Sequence, residues 1–378
     1  MVPVMPLFDR NTNRRSLRVA VVGAGPMGCA TAAFLAAHGH RVAIWAPRTA
    51  RLQQHAGKGR VTCVGGLSDT FSFDVLPDPV AVSDFEVVVI CLPGNAYADV
   101  LAPLNHIWRT GQTIIVSGAL SLCPLWIQES TRANSQSVQV AGWSTTATTA
   151  HFRHDGALHV NPLRERIDMA ALGQPDTESA LSLCQILLGE RFASAENLLV
   201  TTLANINPIA HAAEVIPNLT RMELGEAWPL FGCFTPVVGR MAEDLDQERL
   251  AVARAFAFDL PSLRQHYSRS YHIPEAPLHT MAAHIHGKGM GPNGPILLEH
   301  RYVMEDVPFG MVFLEALAQL VRVETPVLSS SITLLASAYG RDFRAESFLM
   351  EALSLATADA PSLRRRCADA QSAARAPL

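Results

Sequence analysis

Hydrophobic positions in the first half of the chain fall in short, nearly continuous runs. These are LRVAVVGAG (17–25), RVAIWA (41–46), FEVVVICLP (85–93), TIIVSG (113–118) and SVQVAGW (137–143). They are rich in Val and Ile, too short for helices, and lack the alternation of a half-exposed strand, so they predict strands buried on both faces. MGCATAAFLAAHG (27–39) is Ala-rich, ends in glycine and predicts a helix, and NAYADVLAPLNHI predicts another. Buried strands with helical spacers predict a parallel sheet covered on both sides.

The pattern changes after about residue 175. DTESALSLCQILLGERF, ENLLVTTLANI, QERLAVARAFAF, SLRQHYSRSY, the stretch from Val307 to Leu320, and TPVLSSSITLLASAYG all read as helices, and convincing strands are scarce. The expected fold class is therefore α/β followed by all-α. A Rossmann domain with a parallel, doubly wound sheet spans 17–190, and a helical substrate and catalytic domain spans 191–378. The two join within 175–196. Gly- and Pro-rich HGKGMGPNGP (286–295) predicts a loop inside the helical part.

Composition narrows the function. The chain has 378 residues, enough for two domains, and is 49% hydrophobic with a formal net charge of −4. No basic block is interleaved with aromatics, which argues against nucleic acid as a partner. No apolar run reaches the length of a membrane span, and the first residues lack the apolar core of a secretory signal. Arg10, Arg14 and Arg15 read as a solvated basic arm. The seven cysteines are scattered without a CxxC pair, which points to reduced thiols and a cytoplasmic protein.

Gly23-x-Gly25-x-x-Gly28 lies between the first strand and the first helix, in the sequence GAGPMG. One glycine permits the tight turn, one admits a pyrophosphate to the backbone, and one lets helix and strand pack closely. Gly23, Ala24, Gly25, Pro26, Met27 and Gly28 are thus the expected dinucleotide cradle at a helix N-terminus. NAD-binding folds usually carry an acid at the end of the second strand, to hold the ribose 2′-OH. Ala46 occupies that place here, and no Asp or Glu occurs between Gly28 and Asp69. Arg48 and Arg51 follow instead, and guanidinium groups suit a 2′-phosphate. NADP(H) is the expected cofactor, with NAD(H) second.

Chemistry must come from the second half. In LANINPIAHAAEVIPN (203–218), Asn207 and His211 share one helical face, with Pro208 marking a first turn or a kink. A histidine there also suits a satisfied core position. In RYVMEDVPFG (301–310), a helix starting near Glu305 would put Glu305 and Asp306 at its N-terminus, favouring the dipole. Alternatively, Asp306 fixes the tautomer of a histidine and Arg301 clamps a carboxylate. The spacing leaves both readings open.

Taken in order along the chain, GAGPMG, NINPIAH and RYVMEDVPFG resemble the octopine/nopaline (opine) dehydrogenase family, across nearly the whole length. The resemblance implies a Rossmann domain followed by a helical domain, with the reaction in the cleft between. It implies a His211–Asp306 proton relay, Arg301 as carboxylate binder and Asn207 orienting substrate. The implied reaction is reductive condensation of an amino acid with an α-keto acid through an imine, and its reversal. The partners are then small molecules, and both a monomer and a homodimer fit the resemblance. Ala46 departs from the acid that many NADH-using members carry.

Other features weigh less. His279, His284 and His286 lack metal-site spacing and read as loop or cleft lining. Lys288 precedes RYVMEDVPFG and reads as an exposed lysine or a second carboxylate contact. Two other readings are a ketopantoate-reductase-like or hydroxyacid dehydrogenase, and a non-catalytic NADP(H) sensor. The first generally needs a lysine early in the helical domain, and none occurs between 191 and 220. The second has no need of Asn207, His211, Arg301 and Asp306 together.

Overall fold

A computed structural model describes residues 16–47 and 59–368. Its first part is an α/β domain and its second is helical, as the hydrophobic pattern predicts. The central sheet contains β1 (Arg18–Val22), β2 (Arg41–Trp45), β5 (Asp74–Val75), β6 (Val87–Ile90), β7 (Thr113–Val116), β8 (Gln139–Trp143), β11 (Ile167–Leu172) and β12 (Phe192–Ser194). Its order is β12-β11-β8-β7-β6-β1-β2-β5, and every neighbouring pair is parallel except β8–β11. Strand β1 lies between β2 and β6, so the chain reverses its direction of winding there. A crevice opens at the carboxyl ends of such strands.

Helix α1 (Pro26–Ala37) is buried along most of its length, because a second sheet covers it. That sheet has the order β4-β3-β10-β9 and is made from β3 (Arg60–Gly65), β4 (Asp69–Ser72), β9 (Ala150–Phe152) and β10 (Leu158–Val160). A helix sandwiched between two sheets needs apolar residues all round, which explains its Ala-rich sequence. On the other face of the central sheet, α2 (Tyr97–Leu104) and α3 (Cys123–Ala133) bury Tyr97, Leu101, Leu104, Cys123 and Ile127.

Three differences from the sequence reading are physical. First, DTESALSLCQILLGERF forms a helix, α4 (Thr177–Leu188), that packs on β11, β12 and α1 within the expected 17–190 span, but the α/β part does not stop at its end. The central sheet continues through β12 to Ser194, beyond the expected boundary at 190/191. Second, the small sheet is built from strands with exposed or mixed burial, which carry no continuous apolar run. Third, the expected loop begins later, because Leu278–Gly287 is helical and carries His279, His284 and His286.

The helical part forms one core around α5 (Leu198–Leu203), α6 (Asn207–Val215), α7 (Pro236–Ala255), α8 (Leu263–Tyr271), α9 (Leu278–Gly287), α10 (Arg301–Met304), α11 (Val312–Leu320) and α12 (Pro326–Tyr339). Helix α6 packs against α7 and α10, so the NINPIAH and RYVMEDVPFG segments meet.

Candidate active site

The glycine loop joins β1 to α1. Gly23 has φ +119°, and a methyl group on it would stand 2.4 Å from the Cys91 carbonyl oxygen. On Gly28 it would stand 2.0 Å from the Gly23 carbonyl oxygen. Both positions admit only glycine, because backbone blocks the space. Gly25 differs: nothing lies within 4 Å of where its methyl would be. Gly25 also caps α1 without a side-chain hydrogen bond, Pro26 fills the first turn, and the first turn has no acid. An uncapped helix N-terminus behind an open glycine suits a pyrophosphate. Ala24 and Met27 sit in the same loop and first turn. Ala46 follows β2 as expected, whereas Arg48 and Arg51 lie outside the described residues.

The second half of the site gathers on α6, on α10 and on the π-helical turn Val307–Met311. His211 Nδ1 and Asp306 Oδ2 are 2.6 Å apart. The histidine side chain is 13% exposed and that of Asp306 1%, so the pair is sheltered while the imidazole keeps an edge open. Burial lowers the His211 pKa, the Asp306 charge raises it in opposition, and Arg301 pushes it down again. A carboxylate on Nδ1 leaves Nε2 as the outward nitrogen. The Tyr302 ring stacks on the imidazole, with centroids 3.4 Å apart and planes 12° apart.

RYVMEDVPFG is not an acid-led helix start. The α-helical turn begins earlier, at Arg301, and His300 caps it by accepting the Tyr302 N–H. The π-helical turn then follows Asp306. A π turn redirects side chains relative to an α-helix and recurs at functional sites. Gly310 in this turn lets the chain close on Pro208, where a methyl would come within 2.2 Å of the proline ring. Pro208 thus stands in the first turn of α6, packed against the π-helical turn.

Arg301 Nε donates to Glu305 Oε2 at 2.9 Å, and its side chain is 46% exposed. Its terminal nitrogens make no hydrogen bond among the described residues, which leaves that edge for a carboxylate. Burial works against the Arg301 charge, but Glu305 and Asp306 outweigh it and raise the pKa. The other Glu305 oxygen accepts the Gly94 N–H at 3.3 Å. This bond crosses between the domains, because Gly94 lies in the loop after β6. Cys91, at the start of that loop, is the residue against which Gly23 packs. One short loop thus touches both the glycine loop and the Arg301–Glu305–Asp306 segment. Phe309 seats on Gly94, and the Ser121 hydroxyl donates to the Phe309 carbonyl oxygen, adding a second bridge.

Asn207 begins α6 and is half-buried, with its side chain unbonded among the described residues. Its N–H donates to Asn205 Oδ1 at 3.0 Å. The structure thus brings His211, Asp306 and Arg301 together, with Asn207 one turn before His211 on α6. Sequence reasoning missed Tyr302, Gly94 and Ser121 and left Glu305 unassigned. Tyr302 had a signal, since it stands inside the motif. Gly94 and Ser121 had none, because they lie far from it along the chain.

Comparison with known proteins agrees with this layout. Residues 194–339 match the family described as NAD/NADP octopine/nopaline dehydrogenase, alpha-helical domain. Residues 19–117 match the family described as ketopantoate reductase PanE/ApbA. An opine dehydrogenase from Arthrobacter sp. (strain 1C) is 31% identical over 351 residues, covering 91% of this chain and 97% of the relative. A vitopine synthase from Allorhizobium ampelinum is 23% identical, covering 83% and 89%. The structure of octopine dehydrogenase with NADH and agmatine superposes with a TM-score of 0.76 at 16% identity, covering 92% of this chain and 98% of that one. Yersinopine dehydrogenase with NADP+ gives 0.64 at 15%, covering 93% and 97%. The extent of the Arthrobacter match places this chain in the opine dehydrogenase family.

Proposed function

We propose that this protein joins an amino acid to an α-keto acid by NADP(H)-dependent reductive condensation, and runs the reverse oxidation. The observation that carries the roles is the His211–Asp306 contact beside Arg301. The family relationship supports the reaction class. Solved relatives named for complexes with NADH, NADP+, L-arginine, agmatine and pyruvate support the classes of cofactor and substrate.

The roles follow from the chemistry. Arg301 pairs with the keto-acid carboxylate through its free guanidinium edge. The amine attacks the keto carbon. His211, as imidazolium with Asp306 on Nδ1, gives one proton to the oxygen, the attacking amine nitrogen gives up the second, and the oxygen leaves as water with formation of the protonated imine. Asn207, on the same face of α6, orients the substrate. The bound nicotinamide cofactor supplies the hydride that reduces the imine carbon. The Gly94–Glu305 contact keeps the proton donor and the cofactor half in register. The lack of an acid after β2 supports NADP(H) over NAD(H), and the Arg48 and Arg51 contribution remains part of this proposal. Small molecules are the substrates, in a cytoplasmic enzyme of domains near 17–190 and 191–378.

A matrix of amino acids against keto acids, followed by NADPH absorbance, tests the reading. Oxidation should require both substrates and proceed faster with NADPH than with NADH. Turnover with a keto acid alone would favour a hydroxyacid dehydrogenase, and binding without turnover a sensor.

A further inference from the structure

The imidazole of His211 is gripped from two directions by one segment. Asp306 holds its edge, with Nδ1 and Oδ2 2.6 Å apart, and the Tyr302 ring covers its face. Tyr302 and Asp306 are four positions apart, the spacing at which side chains of a helical segment become neighbours. A single hydrogen bond leaves a ring free to turn about that bond, so Asp306 alone does not fix the plane of the imidazole. The stacked phenol removes this freedom. Tyr302 is itself held: its N–H donates to His300 Nδ1, the His300 ring stands edge-on to it with centroids 4.5 Å apart, and it packs on the helical core. Its hydroxyl makes no hydrogen bond among the described residues, which leaves the ring as the part that acts.

The stack is nearly face to face. Non-bonded carbons settle roughly 3.5–4.0 Å apart, so centroids 3.4 Å apart with planes 12° from parallel leave no room for an offset. Two neutral rings prefer an offset or edge-on arrangement to such a sandwich. A cation over the face of a tyrosine ring is attracted by it. The arrangement therefore suits an imidazolium better than a neutral imidazole. We propose that Tyr302 is a positioning residue whose ring fixes the plane of His211 and favours its charged form. The charged and titratable groups facing His211 are Asp306, which favours the imidazolium, Arg301, which opposes it, and His300, which opposes it when charged. Glu214 from α6 and Tyr267 and Tyr271 from α8 stand around Tyr302. Burial also works against the charge on His211. The Tyr302 face joins Asp306 in offsetting these.

The inference rests on the proton-donating role proposed for His211. It is tested by pH profiles of the reductive reaction in Tyr302→Leu and Tyr302→Phe. Tyr302→Leu removes the ring, and kcat should fall about tenfold while the keto-acid KM stays within about twofold of wild type. The imidazolium loses its cation–π partner, so the alkaline limb of the kcat profile should move to lower pH by about half a unit to one unit. Tyr302→Phe keeps the ring and should recover both. A loss in Tyr302→Phe equal to that in Tyr302→Leu assigns the work to the hydroxyl and overturns the inference. A raised KM with unchanged kcat, a tenfold loss with an unmoved alkaline limb, or a Tyr302→Leu profile that matches wild type overturns it too. Should Tyr302→Leu fail to fold, Tyr302→Met, a more adaptable filler, takes its place with the same expectations. NMR of the wild-type protein carrying labelled histidine decides independently of these variants. The His211 ring protons, identified by their loss in His211→Ala, should lie upfield under the ring current of Tyr302, and ordinary positions overturn the inference. If His211→Ala is fully active, the assigned role of His211 fails instead, while the upfield shift and its titration still report what Tyr302 does to the imidazole.

Discussion

The two halves of the site are made of different material. The half proposed to hold the cofactor is backbone: glycines, an open helix end and the carboxyl ends of parallel strands. The half proposed to transfer protons is side chains, with His211 and Asp306 arriving from segments 95 positions apart. Backbone recognition tolerates sequence change as long as the turn survives, whereas a side-chain constellation fails with one atom. Substitutions should therefore divide cleanly, those on α6 and α10 removing chemistry and those in the glycine loop removing binding or folding.

The largest expected effect tests the side-chain half. His211→Ala should lower turnover about a thousandfold, within the range of general acid–base catalysis, while NADPH still binds with near-normal affinity. Tryptophan-to-NADPH energy transfer or calorimetry measures the binding independently of turnover. Full activity would remove His211 from the mechanism, and lost NADPH binding would break the division between the halves.

The cofactor half separates by position. Gly28→Ala must push a methyl against the Gly23 carbonyl, 2.0 Å away, and should cost about 1–3 kcal/mol of stability. Gly25→Ala meets nothing in the protein, so its melting temperature should not change, yet NADPH affinity should drop about tenfold or more where the backbone ought to meet the pyrophosphate. Thermal melts with and without NADPH measure both. Equal destabilisation by the two substitutions would mean that the loop is only a structural turn.

How legible each half was follows from this difference. The glycine loop announces itself because strand, turn and helix are contiguous, and a local pattern suffices. In the other half the residue types were visible, but the spacing could not choose between a core histidine and a relay, or between an acid-led helix and a site. The acid-led helix gives way to a π-helical turn after Asp306, in which Gly310 packs against Pro208, a contact between distant segments. The covering sheet over α1 was hidden for a related reason. Its strands are half-exposed, and β3 pairs with β10 across nearly a hundred residues, so no run of apolar positions marks them.

A smaller effect tests the link between the halves. Glu305→Gln keeps an oxygen for the Gly94 N–H but loses the charge that holds Arg301. The keto-acid KM should rise about tenfold, the value of one charged hydrogen bond, with kcat within about twofold. A fall in kcat alone would assign Glu305 to proton transfer and not to orienting Arg301.

The smallest expected effect concerns acid. His300 and His266 both belong to the helical half, and burial lowers each from the model-peptide value of 6.5 to about 4, aided by neighbouring positive charge. Arg301 and His211 press on His300, and Arg164, Arg249 and Arg269 on His266. Their folded-state pKa values lie below the unfolded one, so between pH 6.5 and 4 the unfolded chain binds more protons. Stability is then fully present above 6.5 and is lost as pH falls through that window. Melting temperature should decline between pH 6.5 and 4, and substituting His266 and His300 with Gln should flatten the decline. Hydrogen exchange should locate the acid opening first in the α8 and α10 region, while the glycine loop, whose cradle is backbone and has no titratable group in it, stays protected. Opening at the glycine loop first would show that acid sensitivity lies elsewhere and that the two halves do not differ in the way their chemistry implies.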